Sequence, residues 1–379
     1  MTRVLVAPDK FKGSLTAAEV AEAVRSGLTA AVPGLDVRAV PVADGGDGTL
    51  AAAVAAGFER VAVTAAGPTG EPVPTAYGRR GDVAVVEMAD VSGLSRLPGG
   101  RPAPLTATSR GTGELIGAAL ADGARRVVVG IGGSACTDGG AGMLQALGAR
   151  LLDADGREIG PGGGALAQLS RVDLGGLHPA LADAEIVVAC DVDNPLTGPT
   201  GAAAVYGPQK GADETQVERL DRNLGRLADL VAEATGRDVR EAPGAGAAGG
   251  VGFAAMAILG ATLRPGIELM LDLLDFGDQV RQAELVIVGE GSLDPQTLHG
   301  KAPVGVARRA RDAGVPTVVA VCGRNLLSDE QLRGAGIDAA YALADIEADP
   351  DRSMAEAGPL LEQVAAQLAV RHLSAPGRR

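Results

Sequence analysis

The sequence predicts an α/β protein that has a parallel sheet and a second, different domain. Short β-branched strands alternate with amphipathic helices near both ends of the chain, which is typical of βαβ units. Between about residues 60 and 88 the pattern changes to short β runs with tight turns at 68–70 and 80–82, which favours antiparallel hairpins. A chain of 379 residues is also long enough for about two domains with large cores.

The first βαβ unit lies at the N-terminal end of the chain. A strand is predicted at 3–7 and a helix at about 16–31, because Thr16 and Glu19 have capping-box spacing and an apolar stripe follows them. A second strand is predicted at 36–42. Such a crossover should bring the two strands together in parallel.

The segment 285–313 predicts a strand, a charged loop and a helix. The strand is expected at 285–288, and Gly289 and Gly291 would end it because glycine tolerates the positive φ of a sharp turn. The loop then carries Glu290, Asp294, His299 and Lys301. Ligands bind at the carboxyl ends of strands in open α/β sheets, so this loop indicates a phosphorylated ligand and a metal. The alternative is a simple turn with solvated charges.

Three glycine-rich loops offer further sites. Asp44 and Asp47 lie among glycines after the second strand, either in a flexible turn or as ligands of a metal or substrate. The loop 132–140 follows a buried strand at 126–131; it has neither a P-loop ending nor GxGxxG spacing, and a backbone anion nest is expected there. Glycines in 243–252 precede an apolar helix, where they could meet an anion or let two helices pack closely.

Asp191 follows a strand that is predicted at 186–189. Its Asp-x-Asp pattern superficially resembles an aspartyl-phosphate nucleophile, but the motif lies mid-chain and Pro195 follows it. Metal binding by Asp191 is therefore the preferred interpretation. Farther along, apolar residues at helical spacing predict a long amphipathic core helix from about Asp213, which Gly236 closes.

Composition argues against several classes of protein. With a net charge of −13, the chain lacks the basic surface that nucleic-acid binders use. With no Trp, four Phe and three Tyr, it also has few aromatic side chains on which bases could stack. The sequence shows neither an apolar run of membrane-spanning length nor a signal peptide, so we expect a cytoplasmic protein without a membrane partner. The three cysteines share no metal-ligand spacing and form no disulfide framework.

The lysines are few and fall in loop-like segments. The chain has only four: Lys10, Lys12, Lys210 and Lys301. A compact ammonium on a flexible stem suits a phosphate contact, although chance placement is the alternative for so small a number.

Seven sequence blocks, taken together and in order, resemble the bacterial glycerate kinase family. They are APDKFKGSLTA (7–17), DGGDGT (44–49), GIGGSACTDGGAG (130–142), CDVDNPLTGPTGA (190–202), YGPQKGA (206–212), GAGAAGGVG (244–252) and GEGSLDPQTLHGK (289–301). The resemblance implies ATP-dependent phosphorylation of D-glycerate with Mg²⁺, with 2-phosphoglycerate favoured over 3-phosphoglycerate as the product. It also implies a Rossmann-like parallel three-layer domain that is interrupted by a second α/β domain with a mixed sheet, and an active site in the cleft between them.

With this resemblance, the elements above give domain limits. The Rossmann-like domain is predicted at 1–59 plus 284–373, the inserted domain at 60–283, and a disordered tail at 374–379. Glycerate and ATP are the expected small-molecule partners, and a homodimer is left open.

The same resemblance and the loop chemistry give candidate site residues. The catalytic candidates are Lys12, Asp191, Asp294 and Lys301. Metal ligands are expected among Asp191, Asp294, Asp44, Asp47 and Asp138. Substrate or phosphate contacts are expected from Lys10, Ser14, Gly132, Gly133, Ser134, Asn194, Gly249, Gly250, Glu290 and His299. Asp191 and Asp294 would divide metal ligation and acceptance of the hydroxyl proton. Lys12 and Lys301 would hold the glycerate carboxylate or the transferring phosphate.

The chain departs from the family pattern at three places. Many relatives carry Ser where Lys10 stands, so Lys12 is the safer catalytic candidate. Cys136 and Thr137 fill the middle of the glycine loop, and Ser292 stands where relatives commonly have Arg. Two other functions are considered: a phosphatase or mutase that uses Asp191 as a covalent nucleophile, and a non-catalytic sugar-acid-binding protein.

Overall fold

The computed structural model describes residues 2–373. The predicted disordered tail, 374–379, lies outside the described residues, and so does the side chain of His299. The strands are β1 (Arg3–Pro8), β2 (Asp36–Ala39), β3 (Glu59–Ala66), β4 (Pro72–Arg80), β5 (Val83–Glu87), β6 (Arg126–Gly130), β7 (Arg150–Leu152), β8 (Arg171–Asp173), β9 (Glu185–Ala189), β10 (Thr262–Arg264), β11 (Leu285–Leu293), β12 (Thr317–Asn325) and β13 (Ala339–Ala342).

The α-helices connect these strands. They are α1 (Ala17–Ala31), α2 (Thr49–Ala55), α3 (Ala89–Ser92), α4 (Arg110–Ala121), α5 (Ala141–Ala146), α6 (Ala202–Tyr206), α7 (Glu214–Thr235), α8 (Ala247–Ala257), α9 (Gly266–Leu273), α10 (Phe276–Val280), α11 (Ala302–Asp312), α12 (Asp329–Gly334), α13 (Pro350–Ala355) and α14 (Ala357–His372). Within residues 2–373, none of the helices has the length and apolar character that a membrane span requires.

The chain forms two compact units. The first comprises the chain up to Asp44, Ala51–Ala56 and the chain from Ile267 onward, and the second comprises Gly45–Leu50 and Gly57–Gly266. These units differ from the sequence-based limits at 45–50, 57–59 and 267–283. The domain limits that the sequence predicts therefore remain a prediction.

The first unit contains a five-stranded sheet of order β13-β12-β11-β1-β2, in which all neighbours are parallel. Successive residues of each strand point to opposite faces. Val4 and Val6 accordingly lie in a core with α1 and α14, and Leu5 and Ala7 lie in a core with α9, α10 and α11. Helices on both faces give the three-layer arrangement, which confirms the predicted fold class.

The prediction that glycines end β11 was wrong. The strand continues to Leu293, and neither Gly289 nor Gly291 has a positive φ. These glycines instead allow close packing, because a Cβ on Gly289 would lie 3.0 Å from the Cβ of Pro8, and one on Gly291 would lie 3.4 Å from the backbone nitrogen of Lys12. β11 therefore carries Glu290 on a strand extension, and Asp294 and Lys301 follow the strand.

The second unit contains a mixed sheet of order β10-β9-β6-β5-β4-β3. The pairs β3–β4 and β4–β5 are antiparallel, as the hairpin pattern predicts, whereas β5, β6, β9 and β10 are parallel. One face of this sheet packs with α4, α5 and α8, and a second core lies beneath α7.

Two helices begin where the sequence predicts them. Thr16 and Glu19 form a capping box before α1, and Asp213 forms one with Gln216 before α7. Gly236 ends α7 with φ at +69°, a left-handed conformation that glycine adopts without steric cost.

Candidate active site

In the first unit, the carboxyl end of β1 leads to a buried carboxylate, Asp9. It is only 7% exposed, and its backbone N–H donates to the Gly289 carbonyl of neighbouring β11 at 2.9 Å. Its Oδ1 accepts from the Lys10 backbone N–H at 2.6 Å and lies 3.9 Å from the Lys10 Nζ. Burial raises the pKa of Asp9 to about 7, and the charges of Asp44 and Glu290 add to this effect while Lys10 opposes it.

The carboxyl end of β11 holds a second group of charged side chains. Glu290 accepts from the Thr297 hydroxyl at 2.9 Å and from the Lys301 Nζ at 3.1 Å. Thr297 is fully buried, whereas the Lys301 side chain is 33% exposed and stands at the N-cap of α11. Glu290 thus fixes the position of the predicted catalytic lysine.

Asp294 lies in the turn after β11. Its Oδ1 accepts from the backbone N–H groups of Gln296 at 2.8 Å and Thr297 at 3.2 Å. Its Oδ2 accepts no hydrogen bond from the residues that the structure describes. One oxygen of this carboxylate therefore holds the turn, and the other is available to a ligand.

Lys12 and Arg324 add cations to the same edge of the sheet. Lys12 is exposed, and its backbone lies beside Gly291 of β11. Arg324 is paired in register with Ser292, and its Nε donates to the Ser292 hydroxyl at 3.1 Å. The predicted contact residue Ser14 has a different role, because its hydroxyl donates to the carbonyl of Met354 at 2.8 Å.

In the second unit, glycines bring two loops together at the carboxyl end of β6. The Gly132 N–H donates to the Gly45 carbonyl at 3.1 Å, and a Cβ on Gly132 would lie 2.7 Å from the Cα of Gly46. A Cβ on Gly133 would lie 3.1 Å from the Asp47 Oδ1. The predicted metal ligand Asp47 and the predicted anion loop 132–134 are therefore neighbours.

Glu87 orders the loop that carries Asp47. It ends β5, is 8% exposed, and accepts from the backbone N–H groups of Gly48 at 3.1 Å and Leu50 at 2.9 Å. Burial raises the pKa of the Glu87 carboxyl, and the two backbone hydrogen bonds oppose that increase.

Asp138 anchors the glycine loop from within. It is fully buried, and its oxygens accept from the Ser109 N–H and hydroxyl, the Thr108 hydroxyl, and the N–H groups of Gly140 and Gly142. These donors occupy the carboxylate. The geometry favours a structural role for Asp138 over metal ligation.

Gly249 and Gly250 pack against the same loop. Both are buried with positive φ, and a Cβ on Gly249 would lie 2.2 Å from the Cys136 carbonyl oxygen. This contact favours the packing interpretation over anion binding at these two glycines.

The loop after β9 carries Asp191 and Asn194. Asp191 is exposed, and its Oδ1 accepts from the Gly266 N–H at 2.8 Å. The Asn194 side chain donates to the Thr200 carbonyl at 2.8 Å and accepts from the Tyr206 hydroxyl at 2.6 Å. Asn194 thus shapes the loop, while Asp191 is presented at its surface.

Three residues that the sequence reasoning did not select have defined roles: Asp9, Glu87 and Lys210. Lys210 is 2% exposed and binds Ser134 and Cys136 in the second unit. Asp9 lies beside Lys10 in the block 7–17, and Lys210 is one of the four loop lysines, so each had a weak sequence signal. Glu87 had no sequence signal other than its place at a strand end.

The predicted metal ligands divide between the two units. Asp44 and Asp294 belong to the first unit, and Asp47, Asp138 and Asp191 belong to the second. Within the described residues, no group of three or more His, Cys, Asp or Glu residues could hold a metal ion. A nucleotide-bound Mg²⁺ uses only one or two protein carboxylates with phosphate oxygens and water, so the oxygen donors present suit that mode of binding.

Comparison with known proteins assigns the chain to a family. The model of the glycerate kinase family matches residues 4–373. The chain belongs to the glycerate kinase family. Members of this family are kinases, so the protein is an enzyme that uses a nucleotide substrate. Membership also disfavours the two alternatives, a phosphatase or mutase and a non-catalytic sugar-acid-binding protein.

Individual members of the glycerate kinase family are similar over nearly their full lengths. The chain is 48% identical to a glycerate kinase of Bacillus subtilis (strain 168) over 370 residues, which cover 97% of each protein. It is also 48% identical to a glycerate 2-kinase of Escherichia coli (strain K12) over 347 residues, 90% of each. A crystal structure described as a glycerate kinase 2 from Salmonella typhimurium LT2 superimposes with a TM-score of 0.83 at 44% identity, and the match covers 98% of this chain and 99% of that chain.

Proposed function

We propose that the protein transfers the terminal phosphoryl group of ATP to D-glycerate and that 2-phosphoglycerate is the favoured product. The observation that carries this proposal is the family match over residues 4–373. A relative with 48% identity is named a glycerate 2-kinase, which supports the choice of the 2-hydroxyl.

The charged groups of the first unit suit this reaction. Phosphoryl transfer requires the protein mainly to position two oxygens and to neutralise the charge that spreads over the transferred group. Lys12 is exposed and Lys301 is fixed by Glu290, so both ammonium groups could bind the glycerate carboxylate or the transferring phosphate. Asp294 keeps one oxygen for a ligand while the other holds its turn.

The remaining carboxylates and one glycine loop complete this proposal. Asp191 and Asp294 divide two tasks, which are acceptance of the hydroxyl proton and ligation of Mg²⁺. Asp44 and Asp47 would lie around the metal, which when bound would neutralise charge on the phosphate oxygens. The 132–134 loop would receive an anionic group at its remaining backbone N–H groups, because the Gly132 N–H already donates to the Gly45 carbonyl. A net charge of −13 repels both substrates at long range, so these local cations and the metal must offset it.

The product of the reaction tests the function directly. The purified protein should consume ATP in step with added D-glycerate, and phosphorus NMR of the mixture should show 2-phosphoglycerate. A reaction without glycerate serves as the control for ATP hydrolysis alone. ATP that is not consumed with glycerate, or an acyl-phosphate trapped on Asp191, would contradict the proposal, and 3-phosphoglycerate would correct the position of transfer.

Removal of metal tests the proposed use of Mg²⁺. Excess EDTA should abolish turnover, and excess Mg²⁺ should restore it. Activity that survives intact in EDTA would exclude the metal from the proposal.

A further inference from the structure

Lys210 is a buried cation in the second unit. It ends a single helical turn, Pro208–Lys210, after which Gly211 turns the chain with φ at +88°. Its Nζ donates to the Ser134 Oγ at 3.0 Å and to the Cys136 carbonyl oxygen at 2.5 Å. The ammonium group therefore lies against the loop that contains Gly132, Gly133 and Ser134.

Both hydrogen-bond acceptors of this ammonium are neutral. Burial lowers the pKa of Lys210, and the nearby Asp138 carboxylate opposes that change. The oxygens of Asp138 are already bound by backbone and hydroxyl donors, and no contact joins them directly to Lys210 in the described part of the chain. A buried charge of this kind is costly and needs a compensating reason.

The contact with Lys210 fixes how the Ser134 hydroxyl can act. An ammonium group only donates, so the Ser134 Oγ must accept this hydrogen bond and must direct its own proton elsewhere. Within residues 2–373, no group accepts a hydrogen bond from that hydroxyl. A charged donor also polarises the hydroxyl, which strengthens it as a donor in a buried setting. Ser134 is 7% exposed, and the preceding residue, Gly133, is exposed.

We propose that Lys210 is a positioning residue that orients and polarises the Ser134 hydroxyl, so that this hydroxyl donates a hydrogen bond to an anionic oxygen of a substrate. The anionic oxygen belongs to a nucleotide phosphate or to the glycerate carboxylate. The identity of these two ligands rests on the proposed function. The competing explanation is that Lys210 only ties the 208–210 turn to the 134–136 loop.

A double-mutant cycle separates these explanations. The variants are Lys210→Met, Ser134→Ala and the combination of both, and calorimetric titration of the full-length protein measures affinity for ATP with Mg²⁺ and for D-glycerate separately. Each single variant should weaken one ligand about 10-fold, and the double variant should weaken it about equally rather than about 100-fold, because both changes remove the same hydrogen bond. Weaker ATP binding assigns the phosphate to Ser134, and weaker glycerate binding assigns the carboxylate.

Matched controls exclude a general loss of structure. Thr137→Val removes a neighbouring buried hydroxyl that has no hydrogen-bond partner among the described residues, and it should leave both affinities unchanged. Ser134→Thr keeps the hydroxyl and should bind like the wild type. If Lys210→Met does not fold, Lys210→Gln, which also removes the charge, replaces it in the cycle. Additive effects, or unchanged affinity in Ser134→Ala, would overturn the proposal. A wild type that binds both ligands without phosphorylating glycerate would instead refute the proposed function alone.

Discussion

At the carboxyl edge of the sheet in the first unit, Glu290 binds other side chains, whereas Glu87 and Asp138 in the second unit bind mainly backbone N–H groups. Glu290 binds Lys301 and Thr297 through their side chains. Glu87 and Asp138 instead accept from backbone groups of glycine-rich loops. The comparison teaches that carboxylates of the same chemistry serve two purposes here: Glu290 holds a cation, and Glu87 and Asp138 hold the shape of loops.

The largest effect is expected from removing a charge in the first unit without changing its shape. Asp294→Asn keeps an Oδ1 acceptor for the N–H groups of Gln296 and Thr297, so the turn should persist. Loss of a carboxylate that accepts a proton or binds the metal should lower kcat by about 10²–10⁴-fold. Steady-state kinetics measure the rate, and thermal unfolding should show an unchanged Tm.

Asp191→Asn is the matched variant in the second unit. It keeps the acceptor for the Gly266 N–H, and we expect it to lower kcat on the same scale because the Asp191 side chain is exposed at the surface of its loop. Near-normal turnover in both variants would refute the assignment of these two aspartates. A large fall in Tm together with kcat would mean that Asp294 shapes its loop, which would break the comparison.

The next effect is expected from Asp138→Asn, which should change stability. The carboxylate accepts five hydrogen bonds, and an amide would place N–H groups against N–H donors. Leaving such donors unsatisfied in a fully buried site should lower the free energy of unfolding by about 3 kcal/mol. Urea unfolding followed by circular dichroism measures this change.

An exposed aspartate provides the control for that measurement. Asp155 lies in a surface turn with its side chain 69% exposed, and Asp155→Asn should change the free energy of unfolding by less than about 0.5 kcal/mol. If Asp138→Asn behaves like this control, the second unit does not depend on its buried carboxylate, and the contrast between the units fails.

Sequence patterns predicted the elements better than the site because they report local structure. The helix start at Thr16 is predicted from a capping box and the one at Asp213 from the apolar periodicity that follows it, and both signals are local. Gly289 was misread because a glycine can supply either a positive φ or a close backbone approach, and only the neighbouring strands decide between them. A local pattern could not predict the burial of Lys210, because a loop lysine is ordinarily exposed. The contacts of Lys210 come from residues 74 and 76 positions away in the sequence.

The candidate site could be predicted as a set of strand-end loops but not as individual roles. Asp138 and Asp191 both lie in glycine- or polar-rich loops that follow buried strands, so the sequence makes both of them candidate metal ligands. In the structure, one is enclosed by donors and the other is exposed. The difference depends on Ser109, which is distant in sequence and therefore invisible to a local pattern.

The last prediction concerns Asp9 and the pH dependence of stability at the charged edge of the first unit. Its pKa is raised from 3.8 to about 7, so the folded state holds a proton on Asp9 more tightly than the unfolded state does. The stability that this protonation provides is full below about pH 4 and is lost as pH rises toward 7, with a slope of at most about 1.4 kcal/mol per pH unit. Asp9→Asn removes this loss, so its free energy of unfolding relative to the wild type should increase between about pH 4 and 7 and then level off. Urea unfolding of both proteins over this range measures the difference. A difference that stays flat with pH would mean that Asp9 is ionised at neutral pH in the folded state, and that Lys10 offsets the cost of its burial.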